Sequence, residues 1–358
     1  GLNSGRKAKL YKIILVLCNV FLITAAVAGS VNYANNVRAS QLETKVHDFI
    51  STVESMKSVS QNYLDSERGY VENWAAYINE QQMTLPEALE FLRNINTNPA
   101  RFIHIVDMDT FDAWTASYPP GKEQTDTYHQ YHGELTEWEQ AVADSMMEAY
   151  NGTASQFQLV GRYQLEETLA PAVSVGIRIT LKSGNGTKDY LLLRAIPAEV
   201  LKKTWVFPAE YQSAEVGIMT KRGDYVIQSS TMKSLSFPEY IRGYNFQDDF
   251  NQGKLLQKTL ESTESGTLCY KNFRGEDCLW FYSSFGGHSN LDILGMIQLA
   301  ELQPDNSTWM IVFFICGTII VLVAVDGLYL HHVNLRLRRT AQLAQQASEA
   351  KTQFLSSM

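Results

Sequence analysis

Apolar positions along this chain change their spacing several times, and each spacing predicts a different element. Two stretches are almost wholly apolar: Ile13 to Gly29 (IILVLCNVFLITAAVAG, with apolar character continuing to Val31) and Thr308 to Leu330 (TWMIVFFICGTIIVLVAVDGLYL), uncharged from Trp309 to Val325 with Asp326 near its inner end. At about 1.5 Å of rise per residue, the second approaches the roughly 30 Å of a bilayer's hydrocarbon core. Trp309 and Tyr329 stand at its ends as interfacial anchors, and Arg336, Arg338 and Arg339 follow directly. Arg6, Lys7, Lys9 and Lys12 precede the first stretch. The positive-inside rule turns both basic flanks toward the cytoplasm. Residues 13–33 and 308–330 are then transmembrane helices, residues 1–12 and 331–358 are cytoplasmic, and everything between is external. A signal peptide cut near Ala26 is the alternative for the first stretch, and a buried core helix for the second.

Past the first span the spacing becomes helical. Leu42, Val46, Phe49, Val53, Met56, Ser60 and Tyr63 step by four and three with charges between them, a heptad seam that predicts a stalk helix over 34–82. An amphipathic helix lying on its own domain's core reads the same way. Thr84 then caps a second helix, PEALEFLRNI, with Pro86 and Glu87 in its first turn. Alternation takes over in RFIHIV, and after a polar loop and the helical GELTEWEQAVADSMMEAY it returns in SQFQLVGRYQL, AVSVGIRITL and DYLLLRAI. The order recurs in shorter form. EVGIMTKRGDYVIQSS is a hairpin, a short helix and a further helix or loop follow, and GTLCYKNFRGEDCLWFYSSF and LDILGMIQLAEL close with strands. These patterns predict an α+β fold in two successive units, 83–205 and 206–305.

Charge and cysteine use narrow the chemistry. The net charge is -8 although both inner flanks are basic, so the external region is acidic and is not expected to bind nucleic acid. The sequence carries no metal-ligand spacing, no phosphate-cradling glycine loop and no nucleophile elbow. Cys18 and Cys316 fall inside the spans. Cys269 and Cys278 flank the hairpin turn at Arg274-Gly275; they either bridge across the strand pair, the expectation here, or remain reduced thiols packed in it.

With these elements in place, two resemblances emerge. A span, a long helix, two mixed units and a return span resemble the double-Cache sensor, a tandem pair of extracellular PAS-like domains, membrane-distal (83–205) and membrane-proximal (206–305). The segment GIMTKRGDYVIQSSTMKSLSFPEYIRGYNF resembles the membrane-proximal domain of such sensors. The closing ASEAKTQFLSSM resembles the opening of the dimerisation helix of bacterial sensor histidine kinases, with Ala347, Ala350, Lys351, Thr352, Phe354, Leu355 and Met358 matching its pattern. That pattern leads into the phospho-accepting histidine, which is not among these residues. His331 and His332 lack the flanking motif, and no HAMP-like module separates the second span from the dimerisation helix.

The resemblance implies a homodimeric, two-pass sensor in the plasma membrane that binds a small extracellular molecule. It implies a response regulator or fused receiver as partner, and ATP and Mg in a kinase domain lying beyond these residues, which themselves catalyse nothing. Chemotaxis receptors and diguanylate cyclases carry similar external domains, and a membrane-anchored adhesion or scaffold protein needs only the heptad seam. A pocket in such a domain is mostly apolar with a few converging polar groups. Trp114, Tyr118, Arg162, Tyr163, Arg178 and Arg194 are the ligand candidates, although Arg178 and Arg194 sit mid-strand and equally suit facing water or pairing with Glu166 or Glu167. The Arg-x-Trp-Tyr arrangement of amino-acid-sensing members is missing, so amino-acid recognition is not expected.

Overall fold

A computed structural model describes residues 2–96, 102–110, 112–116, 124–125, 144, 146–152, 158–165, 170–247, 249–286, 290–304 and 307–357. Contacts group Val46–Leu302 into one compact unit and Gly1–Lys45 with Gln303–Met358 into another.

The smaller unit is helical. It holds the start of α1, which runs from Leu2 to Gln81 without a break, and a second long helix, Ser307–Ser357. Both carry apolar windows long enough to cross a membrane. Phe21, Phe313 and Phe314 are among the large apolar side chains left exposed in these windows.

In the larger unit, α1 ends where Gln82 takes a positive φ of 50°. α2, Leu85–Ile95, starts as its sequence requires: the Thr84 backbone N–H donates to Glu87 Oε2 at 2.8 Å and the Thr84 hydroxyl bonds the same oxygen at 2.9 Å. These bonds to Thr84 hold the Glu87 carboxyl below its ordinary range.

Eleven strands form two antiparallel sheets among the described residues. The first contains β1 (Phe102–Val106), β2 (Ala113–Thr115), β3 (Gln124–Thr125), β4 (Gln158–Leu165), β5 (Ala170–Ser183) and β6 (Gly186–Pro197), in the order β3-β2-β1-β6-β5-β4. The second contains β7 (Glu215–Thr220), β8 (Tyr225–Ile227), β9 (Ser265–Lys271), β10 (Asp277–Ser284) and β11 (Leu291–Gln298), ordered β8-β7-β11-β10-β9. Leaving aside β3, both have one topology: an opening hairpin whose first strand pairs with the last strand of a closing meander. The recurring element order in the sequence is thus a recurring strand order.

Both sheets turn one face to α1. Its buried positions are Phe49, Val53, Met56, Ser60, Leu64, Glu67, Val71, Ala75 and Ile78. They step 4-3-4-4-3-4-4-3, an eleven-residue repeat that keeps a nearly straight helix in contact with a surface, whereas a strict heptad would supercoil it around another helix. Of the two readings of 34–82, a stalk and a helix lying on its own domain's core, the second holds from Val46 onward, where α1 is the spine of the sheets' own core. Phe49, Val53 and Met56 join Val216, Ile218, Leu279, Phe281 and Ile293 of the second sheet. Val71, Ala75 and Ile78 join Ile103, Ile105, Val175, Ile177 and Leu192 of the first. Gly295 makes the lower contact possible, because a Cβ there would lie 2.7 Å from Val53 Cγ2.

The cysteine bridge is also corrected. Across the β9–β10 pair Cys269 stands opposite Leu279 and Cys278 opposite Tyr270. Successive residues of a strand point to opposite faces, so the two sulfurs lie on different sides of the sheet. Both thiols are free, Cys269 exposed and Cys278 buried, and burial pushes the Cys278 thiol up to about 12.

Candidate functional site

The side of each sheet away from α1 decides where a ligand can go. On the second sheet that side is filled. Tyr225, Cys278, Trp280, Tyr282, Leu294 and Met296 pack under Phe237, Tyr240 and Ile241 of the helix Phe237–Asn245 and Leu256 and Leu260 of the helix Phe250–Ser262. Trp280 is fully buried with Phe237 and Tyr240 ring centroids at 5.1 and 5.6 Å, and its indole N–H donates to the Tyr270 carbonyl at 3.2 Å. Such a layer is core.

On the first sheet the same side mixes aliphatic residues with small and polar ones. The register lays them out in rows across the strands: Ala113, Val106, Leu191 and Arg178; then Thr115, His104, Leu193 and Gly176; then Phe102, Ala195 and Ser174. Met146 and Ala149, from the helical run 146–151, pack on them. Gly176 and Ala195 are both buried at the β5–β6 end, and a glycine inside a strand marks a place where something approaches the backbone closely. His104 is 1% exposed, and desolvation lowers its pKa to about 4, so it is neutral near pH 7. Ser174 is fully buried, and its hydroxyl finds no hydrogen-bond partner among the described residues. A buried polar atom without a partner is costly and rare.

Arg178 stands half-buried on this face, within electrostatic reach of Tyr150. Desolvation first, then Asp189 and other carboxylates, raise the Tyr150 pKa, so the phenol stays neutral. The Asp189 carboxylate accepts from the Thr180 hydroxyl at 2.7 Å.

The sequence candidates separate accordingly. Arg178 is on the outer face. Arg194, three register positions along and pointing to the opposite side, faces α1, where it forms a buried ion pair with Glu67 and lies 5.9 Å from the Trp74 ring. Among the described residues its ion-pair partner is Glu67; Glu166 and Glu167 lie outside them. Trp114 is half-buried on the α1 side, edge-on to Tyr190 at 6.3 Å. Beside Tyr190, Lys188 bridges Asp107 at 2.6 Å and Asp109 at 3.1 Å. Arg162 and Tyr163 have backbone positions on β4, opposite Val173 and Ala172, and their side chains lie outside the described residues, as does all of Tyr118. His104, Ser174 and Gly176 were missed. Their signal is a polar or missing side chain in an apolar strand, and it becomes legible once the strands are aligned.

Two other clefts are shallower in chemistry. One of about 210 Å³ between the two outer helices has Arg242 and Lys254 over the Phe250 ring at 5.6 and 4.6 Å. The other is a groove of about 690 Å³ along α1, lined by residues such as Ser51, Ser55, Val206 and Phe207. Among the described residues no group of three or more His, Cys, Asp or Glu side chains could hold a metal.

No family model matches the sequence, and no curated protein does. Solved structures match in fold. The extracellular domain of the proposed histidine kinase rpHK1S-Z16 aligns over 72% of this chain and 95% of its own, at 13% identity and a TM-score of 0.52. That of soHK1S-Z6 aligns over 74% and 97%, at 13% identity and a TM-score of 0.50. The ligand-binding domain of the Pseudomonas aeruginosa PAO1 amino-acid chemoreceptor PctB, in complex with L-Arg, aligns over 72% and 96% at 12% identity and 0.47. The fold, mixed α and β on a long N-terminal helix, is thus shared with the extracellular domains of those two proposed kinases.

Proposed function

We propose that this chain is the sensory and membrane portion of a two-component histidine kinase, with tandem PAS-like domains that sense a small extracellular molecule. The outer face of the first sheet takes the ligand. Residues 13–33 and 308–330 cross the plasma membrane, both termini are cytoplasmic, and two copies pair. ATP and Mg belong to a kinase domain past Met358, and a response regulator or fused receiver takes the phosphoryl group.

The observation that carries the reading is the unbroken helix Ser307–Ser357, which joins the second apolar stretch to the ASEAKTQFLSSM segment with no intervening module. A ligand that shifts α1 or β11 would move the ends of two long helices, and a helix that continues into a dimerisation bundle transmits such a shift. The test is autophosphorylation of the full-length protein in nanodiscs with labelled ATP. An acid-labile, base-stable phosphate supports the kinase. Its absence together with methylation-dependent signalling or cyclic di-GMP synthesis assigns the same sensor to a chemotaxis receptor or a diguanylate cyclase.

A further inference from the structure

We propose that the cleft between the helices Phe237–Asn245 and Phe250–Ser262 binds a compact phosphate group, held by Arg242 and Lys254 beside the Phe250 ring. This cleft belongs to the cover of the second sheet, so the proposal is independent of the reading that gives the first sheet's outer face to the sensed molecule.

Sequence spacing builds the site. In the first of these helices Phe237, Tyr240 and Ile241 turn inward, which leaves Arg242 half-buried on the flank. In the second, Leu256 and Leu260 turn inward, and Phe250 and Lys254, four residues apart, stand together on the exposed side. Gly253 is buried where the helices meet. A Cβ there would touch Arg242 Cδ at 3.5 Å, so the arginine lies across the glycine. Arg242 Cζ comes to 5.6 Å and Lys254 Nζ to 4.6 Å from the centroid of one ring, although that ring is 58% exposed. Each contact with an exposed ring contributes only about 0.5–1 kcal/mol, and two like charges gathered there oppose each other. An anion lying against both removes that repulsion.

The rest of the lining narrows the anion. Arg222, in the turn after β7, adds a third positive charge, while Asp224 and Glu239 bring two negative ones. Neither carboxylate forms an ion pair with Arg222 or Lys254; Asp224 accepts from the Thr220 hydroxyl and Glu239 from the Ser234 hydroxyl, both at 3.4 Å. Asp224 bridges Ser236, the cap of the helix Phe237–Asn245, and Glu239 is in its first turn, whereas Arg242 is one turn further on. The anion therefore sits at the Phe250 end, and a second negative group reaching toward Asp224 is repelled. A volume of about 210 Å³ is below the roughly 300–1,000 Å³ of pockets for drug-sized ligands, which suits one compact group. Phosphate carries up to two charges and three acceptor oxygens, enough for the arginine fork and the lysine point charge together.

The full chain in nanodiscs of zwitterionic lipid, titrated calorimetrically at fixed ionic strength with inorganic phosphate, glycerol 3-phosphate and acetate, tests this. Both phosphates should bind and raise the melting temperature, with acetate much weaker. Arg242→Gln and Lys254→Gln should each weaken phosphate roughly 10–100-fold, the size of one lost charge-assisted contact. Lys258→Gln, one turn further along and outside the lining, should leave binding unchanged, and circular dichroism of each variant checks folding. Phosphates that do not bind, that bind both lining variants as well as the parent, or that lose as much to Lys258→Gln overturn the proposal. Phosphatidic acid added to the nanodiscs separates two sources of the group. Loss of the titrated signal gives the site to a headgroup phosphomonoester, an unchanged signal gives it to a soluble one, and both results keep the phosphate.

Discussion

The two sheets of the larger unit share a strand order and share α1, yet their outer faces differ in character. The second sheet's is a solid aromatic layer of Trp280, Tyr225, Tyr240 and Phe237. The first sheet's offers Gly176, Ala195, Ala113 and Ser174 with a neutral buried histidine and a half-buried arginine. Topology therefore does not decide the character of the outer face; the side chains do. Large rings fill the second sheet's face, whereas the first sheet's face buries polar groups such as His104 and Ser174 among smaller side chains.

The contrast breaks most directly at Trp280. If its layer is core, Trp280→Ala should cost about 3–5 kcal/mol of stability in denaturant melts. A loss under about 1 kcal/mol, the scale of a tolerated volume-conserving swap, would mean that this face is loosely filled and is itself a candidate pocket.

The inner faces differ too, because the first sheet alone buries an ion pair against α1 in the described core. Arg194→Met should destabilise by about 3–5 kcal/mol by stranding the Glu67 charge, while the double change with Glu67→Met should restore most of the loss. Ligand binding that survives the double variant would place recognition on the outer face. Binding abolished in a stably folded double variant would return Arg194 to the ligand site.

The outer faces also titrate with opposite sign. Burial lowers the His104 pKa from its ordinary 6.5 to about 4, so the unfolded chain binds the extra proton between those values. Its contribution is complete above pH 6.5 and is lost as pH falls toward 4, by up to about 3 kcal/mol. On the second sheet Asp292 is fully buried with Lys221 Nζ at 3.4 Å, and desolvation, outweighing that lysine, raises its carboxyl. Its contribution is therefore present at acid pH and lost as pH rises. Melting temperature followed from pH 7 to 4 should fall, and His104→Gln should flatten the fall. A profile unchanged by His104→Gln would mean the histidine is solvated.

The smallest effect concerns the thiols. Cys269→Ala should change the melting temperature negligibly, since an exposed sulfur on the β9 edge strand holds nothing together. Maleimide should modify Cys269 quickly and Cys278 slowly, with the same intact mass before and after reduction. A mass increase of two protons on reduction would restore the bridge.

What the sequence determined by itself is what nearest neighbours along the chain can encode. The apolar runs at 13–33 and 308–330, the Thr84 cap with Glu87, the hairpin at Lys221–Asp224 and the β9–β10 turn all rest on residues a few positions apart. The recurring element order was legible for the same reason. What only tertiary structure decided depends on which residues meet across long separations. Arg178 and Arg194 look alike in sequence, each an arginine in an apolar strand, but the register sends one outward and the other onto Glu67 of α1. Cys269 and Cys278 looked able to pair until the register put them one residue out of line. The seam from Phe49 onward fitted a stalk and a core helix alike, and its continuation through Leu64, Val71 and Ile78 shows a helix laid on two sheets. Strand periodicity of two says that neighbours face opposite ways; which way is inward is set by the pairing of strands far apart in the chain, and that pairing creates the site.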